Sequence, residues 1–545
     1  MDEHLRLSRR HLVTAGTVGL SALRSPSGTI LARSTRQDKP GGWKIVDGLR
    51  LAGSVSRLSS VDPARSRDLS TNFLLRQVYR GLMALDVNLV PQPEIAESVA
   101  ISDDRRVHEF VIRESARFHD GRPITSADVR VSFSRALDPR TTGGSLESLA
   151  SITYLREIDG ADDQLAGRSE YLSGIAVTGE RTLSITLGQA SPTFLMKLAS
   201  VPASIVDGEQ AQLDNDWTRV PNGSGPFAVA SWDPDVSLEL AAAETWWAGQ
   251  PALPRVQVRL GASASQPVNL FQGGSIDLLD DIPPELIDLI EDPAADVPYG
   301  ELLATELFAT AYIALGNTIA PLDDVHVRRA LQYVFPNELV ATASFNGAVL
   351  PANGLLPPGL LNADWATTMI AGNVEAARDQ LRRSRYGTAE KVPPVMIYAA
   401  DIAVVESLRE VAAQELGLEI DAIEVGWPDF LTGLAERRFP AYSLYWGADY
   451  PDPESLIDML FGERSVENYT GYANPDLELL LSEARLVTGA ERAAVYARAN
   501  QLLVDDAALI PLYHPVGYTL TRPGLAGVSA TPMGILGLET IREQP

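Results

Sequence analysis

The sequence predicts an α/β protein of roughly three domains, from three observations. Strand-like and helix-like periodicities alternate along the whole chain, which favours α/β architecture over a sandwich or a bundle. The length of 545 residues, with 45% hydrophobic and 21% charged side chains, supports several hydrophobic cores. No internal repeat or low-complexity tract interrupts the alternation, and Pro and Gly are spread evenly. Compact domains joined by short crossings fit that distribution better than domains on flexible linkers.

In chain order, the first 40 residues stand apart. They hold seven basic and three acidic residues, leaving 38 basic and 68 acidic, a charge of −30, for residues 41–545. Ser8-Arg9-Arg10-His11-Leu12-Val13 precedes a mildly apolar stretch over 12–23. Charged start, short apolar run and small-residue tail describe an export signal, and the paired Arg gives it a twin-arginine form. Cleavage is expected between about residues 25 and 42. The chain has no Cys, so the exported protein is expected to be periplasmic or extracytoplasmic and not a lipoprotein.

Strands follow over 109–113 (Phe110 and Ile112 on one face), 181–187 (Leu183, Ile185, Leu187) and 255–260 (Val256, Val258, Leu260). A helix over 128–137 puts Val129, Phe133, Ala136 and Leu137 on one stripe, and Thr125 with Asp128 reads as a capping box. Val327, Ala330, Leu331 and Val334 mark a second helix, with Arg328 and Arg329 expected to pair with nearby carboxylates. Further helices cover 373–383 and 491–504. Residues 395–399, 422–426 and 442–446 read as strands, the last of them buried. Asp452 with Pro453 reads as a cap and first turn, starting a helix over 454–461.

The composition and motifs exclude much. Without Cys there is no disulfide, thiolate metal site or thiol nucleophile. With 71 acidic against 45 basic residues, net charge −26, nucleic acid is not an expected partner. No run of 18 apolar residues exists, so no membrane insertion is expected. His4, His11, His108, His119, His326 and His514 show no metal-ligand spacing. Nucleophile elbow, phosphate loop and dinucleotide fingerprint are all missing; Gly223-Ser224-Gly225 is a different, tighter pattern. Asp103-Asp104, Asp162-Asp163 and Asp323-Asp324 read as turns or helix starts. A carboxylate pair assembled from distant parts of the chain stays open. No enzyme activity, metal or cofactor is expected.

A series of local signatures in fixed order then carries a resemblance. It begins with Leu74-Leu75-Arg76-Gln77-Val78-Tyr79-Arg80-Gly81-Leu82 and Pro91-Gln92-Pro93-Glu94-Ile95-Ala96-Glu97-Ser98. The segment Phe118-His119-Asp120-Gly121-Arg122-Pro123-Ile124-Thr125-Ser126-Ala127-Asp128-Val129 is its most diagnostic part. Ser224-Gly225-Pro226-Phe227, Trp246-Trp247 and Asp324-Val325-His326-Val327-Arg328-Arg329 follow. Trp446-Gly447-Ala448-Asp449-Tyr450-Pro451-Asp452-Pro453, Tyr472-Ala473-Asn474-Pro475 and Ile510-Pro511-Leu512-Tyr513 complete it. Over residues 44–520 the chain resembles the family 5 extracellular solute-binding proteins, the peptide-type binding components of ABC importers.

The resemblance implies a type II periplasmic-binding-protein fold: two α/β lobes with a hinge plus an inserted extra domain. Lobe I is expected over 43–84, 222–310 and 512–545, the inserted domain over 85–221, and lobe II over 311–511. It also implies capture of a peptide or peptide-like solute and delivery to a permease with a separate ATPase, by a monomer. In such relatives the Asp at position 449 holds the ligand's α-amino group. The expected ligand-binding set is Asp449, Trp446, Trp427, Tyr445 and Gly447. The sequence departs from dipeptide-binding members after residues 395–399, where Ala400-Asp401-Ile402-Ala403-Val404-Val405-Glu406 lacks the Arg that meets the ligand carboxylate. A longer or capped peptide, or another cationic or polar solute, therefore stays open. Relatives also carry nickel chelates, glutathione, opines and sugars. Ligand sensing or peptide chaperoning on the same fold, and an exported hydrolase, are the rival readings.

Overall fold

The computed structural model describes residues 29–30 and 48–544, apart from 53–57, 59, 67–68, 145–148, 214–216, 262–265, 288–289, 291–298, 364 and 366. The expected export signal lies outside the described residues except for Thr29–Ile30, which pair with Glu301–Glu306.

Among the described residues one large sheet runs through both lobes. Its order is Ile420–Glu424, Val395–Ala399, Ala441–Gly447, Ala309–Leu315, Leu509–Thr521, Leu278–Leu279, Leu49–Ala52, Arg255–Arg259, Ser237–Ala242 and Phe227–Asp233. The joint is Leu509–Thr521. Its first half pairs with Ala309–Leu315, and its second half with Glu301–Glu306. Two antiparallel chain segments therefore cross side by side, through 306–309 and 513–516. A pair of adjacent strands bends more readily than it shears, which suits a hinge. His514 sits in this crossing, buried between Thr310 Oγ1 (3.0 Å) and the Ala309 carbonyl (3.2 Å). Burial lowers its pKa to about 4 despite the Ala309 bond, so it is neutral at pH 7.

Each lobe's core follows from residue spacing. Ala309–Leu315 is buried at every position, because both faces of the sheet are covered. Tyr312 and Ala314 face one core, with Tyr442, Leu456 and Tyr496. Ala311, Ile313 and Leu315 face another, with Leu331, Ile397 and Leu408. In the other lobe Leu49, Leu51, Leu74, Phe227, Leu240 and Val256 close together. Each such side chain contributes about 1.5–3 kcal/mol on burial.

The inserted domain has its own antiparallel sheet, ordered Ala96–Ile101, Val107–Ile112, Thr182–Thr186 and Ile175–Val177. Helix Ser126–Ala136 packs Val129 and Phe133 against Phe110, Ile112, Leu183 and Ile185. The capping box forms: Thr125 caps the Asp128 amide, and the Asp128 carboxylate accepts from the Thr125 amide at 2.8 Å. Before it, Gly121 at φ 91 closes a tight turn after Asp120, a backbone conformation that favours glycine. His119 lies in that turn, its Nε2 3.0 Å from the Gly225 carbonyl.

The expected strands at 109–113, 181–187 and 255–260 occur as Val107–Ile112, Thr182–Thr186 and Arg255–Arg259. The helices expected from 327, 373 and 491 occur as Val325–Val334, Val374–Arg383 and Gly489–Asp505. Three local expectations need correction. The helix over 454–461 is broken into a short turn, Pro453–Ser455, and a helix, Ile457–Phe461. The Ser455 hydroxyl donates to the Tyr450 and Asp452 carbonyls, which interrupts the run. Arg328 does meet a carboxylate, Asp506 at 3.0 Å, but Arg329 donates instead to the Asp505 carbonyl that ends helix Gly489–Asp505. Strand Ala441–Gly447 is buried only at its start, since its far end opens to solvent. No helix among the described residues is long and apolar enough to cross a membrane.

Candidate functional site

Strand Ala441–Gly447 lies antiparallel to Ala309–Leu315 and parallel to Val395–Ala399. The antiparallel register ends with Gly447 opposite Ala309, and the Ala448 amide then donates to the Phe308 carbonyl at 2.7 Å. The chain leaves the sheet there, at the edge where the parallel strands Val395–Ala399 and Ile420–Glu424 also end. In open α/β sheets that edge is where ligands bind.

Asp449 is half-buried in the exit loop. Its Oδ1 accepts a hydrogen bond from the Tyr154 hydroxyl at 2.9 Å. Tyr154 belongs to the short helix Ile152–Leu155 of the inserted domain, so this bond joins the inserted domain to lobe II. Burial first, then the Asp449 charge, pushes the Tyr154 phenol far above its usual pKa, and Tyr154 acts as a neutral donor.

Trp446 packs half-buried against the lobe II core. Its indole Nε1 is enclosed and meets no acceptor. An enclosed, unmet donor costs about 1–3 kcal/mol. Tyr445 points to the opposite face of the strand. It is 43% exposed, yet the protein mass around it, and then the Asp281 and Tyr513 charges, push its phenol pKa up. Asp281 of lobe I shows the same combination: solvent reaches it, while surrounding protein raises its carboxyl pKa.

Gly447 supplies the closing pair of the strand. Trp427 is 54% exposed and opens helix Trp427–Ala435 at the exit of strand Ile420–Glu424. It stacks on Phe430 at 6.0 Å, continuing a row through Phe439 (5.6 Å) to Tyr398 (4.3 Å). Asp449, Trp446, Tyr445 and Gly447 thus share one strand and its exit loop, and Trp427 stands at the same sheet edge on a separate element.

Sequence reasoning missed Tyr154 and a buried ion cluster behind the loop. Tyr450 enters the inserted domain's core, and its hydroxyl donates to Glu454 Oε1 at 3.0 Å. Lys197 Nζ of the inserted domain lies 2.7 Å from Glu454 and 2.8 Å from Glu157. Arg492 meets Glu454 at 2.8 Å and forks onto Asp452 at 2.8 and 2.9 Å. Burial opposes ionisation of Glu454, but Lys197 and Arg492 overcome it and hold its pKa down at about 2. No sequence signal links partners so far apart in the chain.

A cavity of about 770 Å³ lies elsewhere, lined by Asp62, Arg135, Gln164, Tyr171 and Trp217 among others. None of the five predicted residues lines it, and its Arg135 is already forked onto Asp62. The chemistry described above sits at the sheet edge. Among the described residues no group of three or more His, Asp or Glu is placed to hold a metal ion.

Comparison with known proteins agrees with this architecture. The chain is 26% identical over 538 residues to the periplasmic oligopeptide-binding protein OppA of Escherichia coli, covering 96% of each chain. It is also 26% identical to heme-binding protein A of Haemophilus influenzae, over 85% of this chain and 86% of that protein. The solved structure of Burkholderia pseudomallei OppA superposes with a TM-score of 0.76 at 22% identity, covering 92% of this chain and all of the other. The family model described as bacterial extracellular solute-binding proteins, family 5 Middle, matches residues 90–468, well over half of the chain. With its two lobes, inserted domain and sheet-edge site, the chain belongs to the bacterial extracellular solute-binding proteins of family 5.

Proposed function

We propose that this protein captures a peptide or peptide-like solute carrying a free amino group between its two lobes. It hands that solute to an ABC-transporter permease driven by a separate ATPase. The observation that carries the reading is Asp449: a half-buried carboxylate at the carboxyl edge of the sheet, oriented by the neutral Tyr154 hydroxyl. A carboxylate so placed binds an ammonium group with about 1.5–3 kcal/mol, more where closure excludes water. Tyr445 and Trp427 offer aromatic surface for the ligand's side chains, and Gly447 leaves room for its backbone.

Likeness to oligopeptide-binding relatives supports the peptide class, and the heme-binding relative warns that family members differ in cargo. Residues 400–406 carry no basic side chain, so the ligand's carboxyl end is anchored elsewhere or is distant from this strand. In this reading the chain is exported by its twin-arginine-like start and works as a monomer. Lobe I comprises 43–84, 222–310 and 512–545, the inserted domain 85–221, and lobe II 311–511.

The test combines identification and mutation. Native mass spectrometry of the gently purified protein, followed by fragmentation, identifies the retained solute. Calorimetry of that solute against Asp449→Asn is expected to show at least a tenfold loss of affinity, with the ligand-free melting temperature unchanged. Equal affinity would remove Asp449 from the anchoring role.

A further inference from the structure

The buried ion cluster behind the Asp449 loop spans two bodies. Glu157, Thr193 and Lys197 belong to the inserted domain, which the chain ties to lobe I. Tyr450, Asp452, Glu454 and Arg492 belong to lobe II. Besides the Tyr154–Asp449 bond and the Tyr450 ring in the inserted domain's core, the joint between them is Lys197 Nζ to Glu454 Oε1 at 2.7 Å, with the Thr193 hydroxyl donating to both Glu454 oxygens at 3.2 and 3.3 Å. The Lys197 ammonium also stands 5.1 Å from the Tyr450 ring centroid. Lys197 is 5% exposed and Glu454 12%, so water barely reaches the joint.

Separating a buried ion pair is usually costly, because each partner becomes an uncompensated charge. Here each side keeps a counterion of its own. Lys197 retains Glu157 at 2.8 Å, and Glu454 retains Arg492 at 2.8 Å. If the two bodies part, neither charge is orphaned. A joint meant to be permanent needs no such duplication, whereas a joint that opens and closes does.

We propose that Lys197 is a positioning residue for ligand capture. It fastens the loop carrying Asp449 to the inserted domain through Glu454, and this fastening parts and re-forms as the lobes open and close. The inserted domain is then a working part of the jaw. This rests on capture by lobe closure as proposed above, but its test needs no ligand.

The geometry makes two neighbouring substitutions act in opposite directions. Lys197→Met leaves Glu157 and Glu454 facing each other without a cation between them, which favours the open form. Glu157→Gln removes both the competitor for Lys197 and the like charge facing Glu454, which favours the shut form. Lys197→Arg keeps the charge and is expected to resemble the parent.

The chain has no Cys, so Val177→Cys on the inserted domain and Leu479→Cys on lobe II give a clean pair for spin labels. Both positions are exposed. Pulsed electron–electron distance measurement on the folded, ligand-free full chain is the readout. The expected result is longer distances for Lys197→Met and shorter or narrower ones for Glu157→Gln, with Lys197→Arg unchanged. An unchanged distribution in Lys197→Met, or a shift of both variants in one direction, would overturn the proposal. Should Lys197→Met fail to fold, Glu157→Gln decides alone, since no change or a longer distance overturns it. These distances do not depend on whether Asp449 holds an ammonium group, so the two proposals fail separately.

Discussion

Asp458 shows how one buried group sets a pH dependence. It sits behind the ion cluster, accepting from the Tyr496 hydroxyl at 2.8 Å, with Arg485 at 3.5 Å. Burial first, and then the charge on Glu454, pushes its pKa from 3.8 up to about 7. The folded state therefore holds a proton that the unfolded chain releases near pH 4. The stability this provides is complete below the unfolded pKa and is lost as pH rises through about 7. Glu454 runs the other way: with its pKa lowered from 4.5 to about 2, its share is present above 4.5 and is lost as pH falls through about 2. Asp458→Asn keeps a neutral side chain of the same shape and removes the first dependence. We expect thermal unfolding to show little change near pH 4 and a higher melting temperature than the parent at pH 8. Parallel pH profiles of the two proteins would contradict this.

At the scale of the element, helix Trp427–Ala435 sets propensity against packing. Gly433 lies inside it, where Ala is better by about 1 kcal/mol in an isolated helix. A Cβ at Gly433, however, would stand 2.0 Å from the tip of the Phe439 ring. That ring is held between Tyr398 (4.3 Å) and Phe430 (5.6 Å), so it cannot swing away without disturbing the stack. Overpacking costs about 1–3 kcal/mol, which outweighs the helical gain. Gly433→Ala is expected to destabilise the fold in urea unfolding and to disturb the aromatic row that ends at Trp427. A stabilised variant would show that the row repacks freely.

At the same scale, the elements most legible in the sequence are those whose signals are local. The Thr125–Asp128 capping box and the helix start at Asp324 both involve residues within a few positions of each other. The broken helix after Pro453 was not legible, because the interruption comes from Ser455 hydrogen bonds back to the loop. The openness of strand Ala441–Gly447 at Tyr445 was not legible either. An aromatic run reads as buried, whereas Tyr445 is 43% exposed and the strand is buried only at its start.

For the whole molecule, the two crossing segments and the inserted domain decide how it works. The crossings give a bending axis through 306–309 and 513–516, while the inserted domain reaches past that axis to lobe II. Binding of the retained solute is expected to lower the radius of gyration measured by small-angle X-ray scattering, as the lobes close on it. The same experiment with Asp449→Asn at equal solute concentration should show a smaller change. An unchanged radius on saturation of the parent would mean capture without closure.

The α/β class, the position of most helices and strands, the family and the loop on which Asp449 stands are all legible in local sequence. Those depend on periodicity, on caps a few residues apart and on an ordered set of local signatures. Only the tertiary structure decided what faces that loop. Tyr154 against Asp449 and Lys197 against Glu454 join residues more than 250 positions apart. Such pairs leave no mark in local spacing, because a charge or hydroxyl at the surface of one domain chooses its partner only after both domains have folded and met.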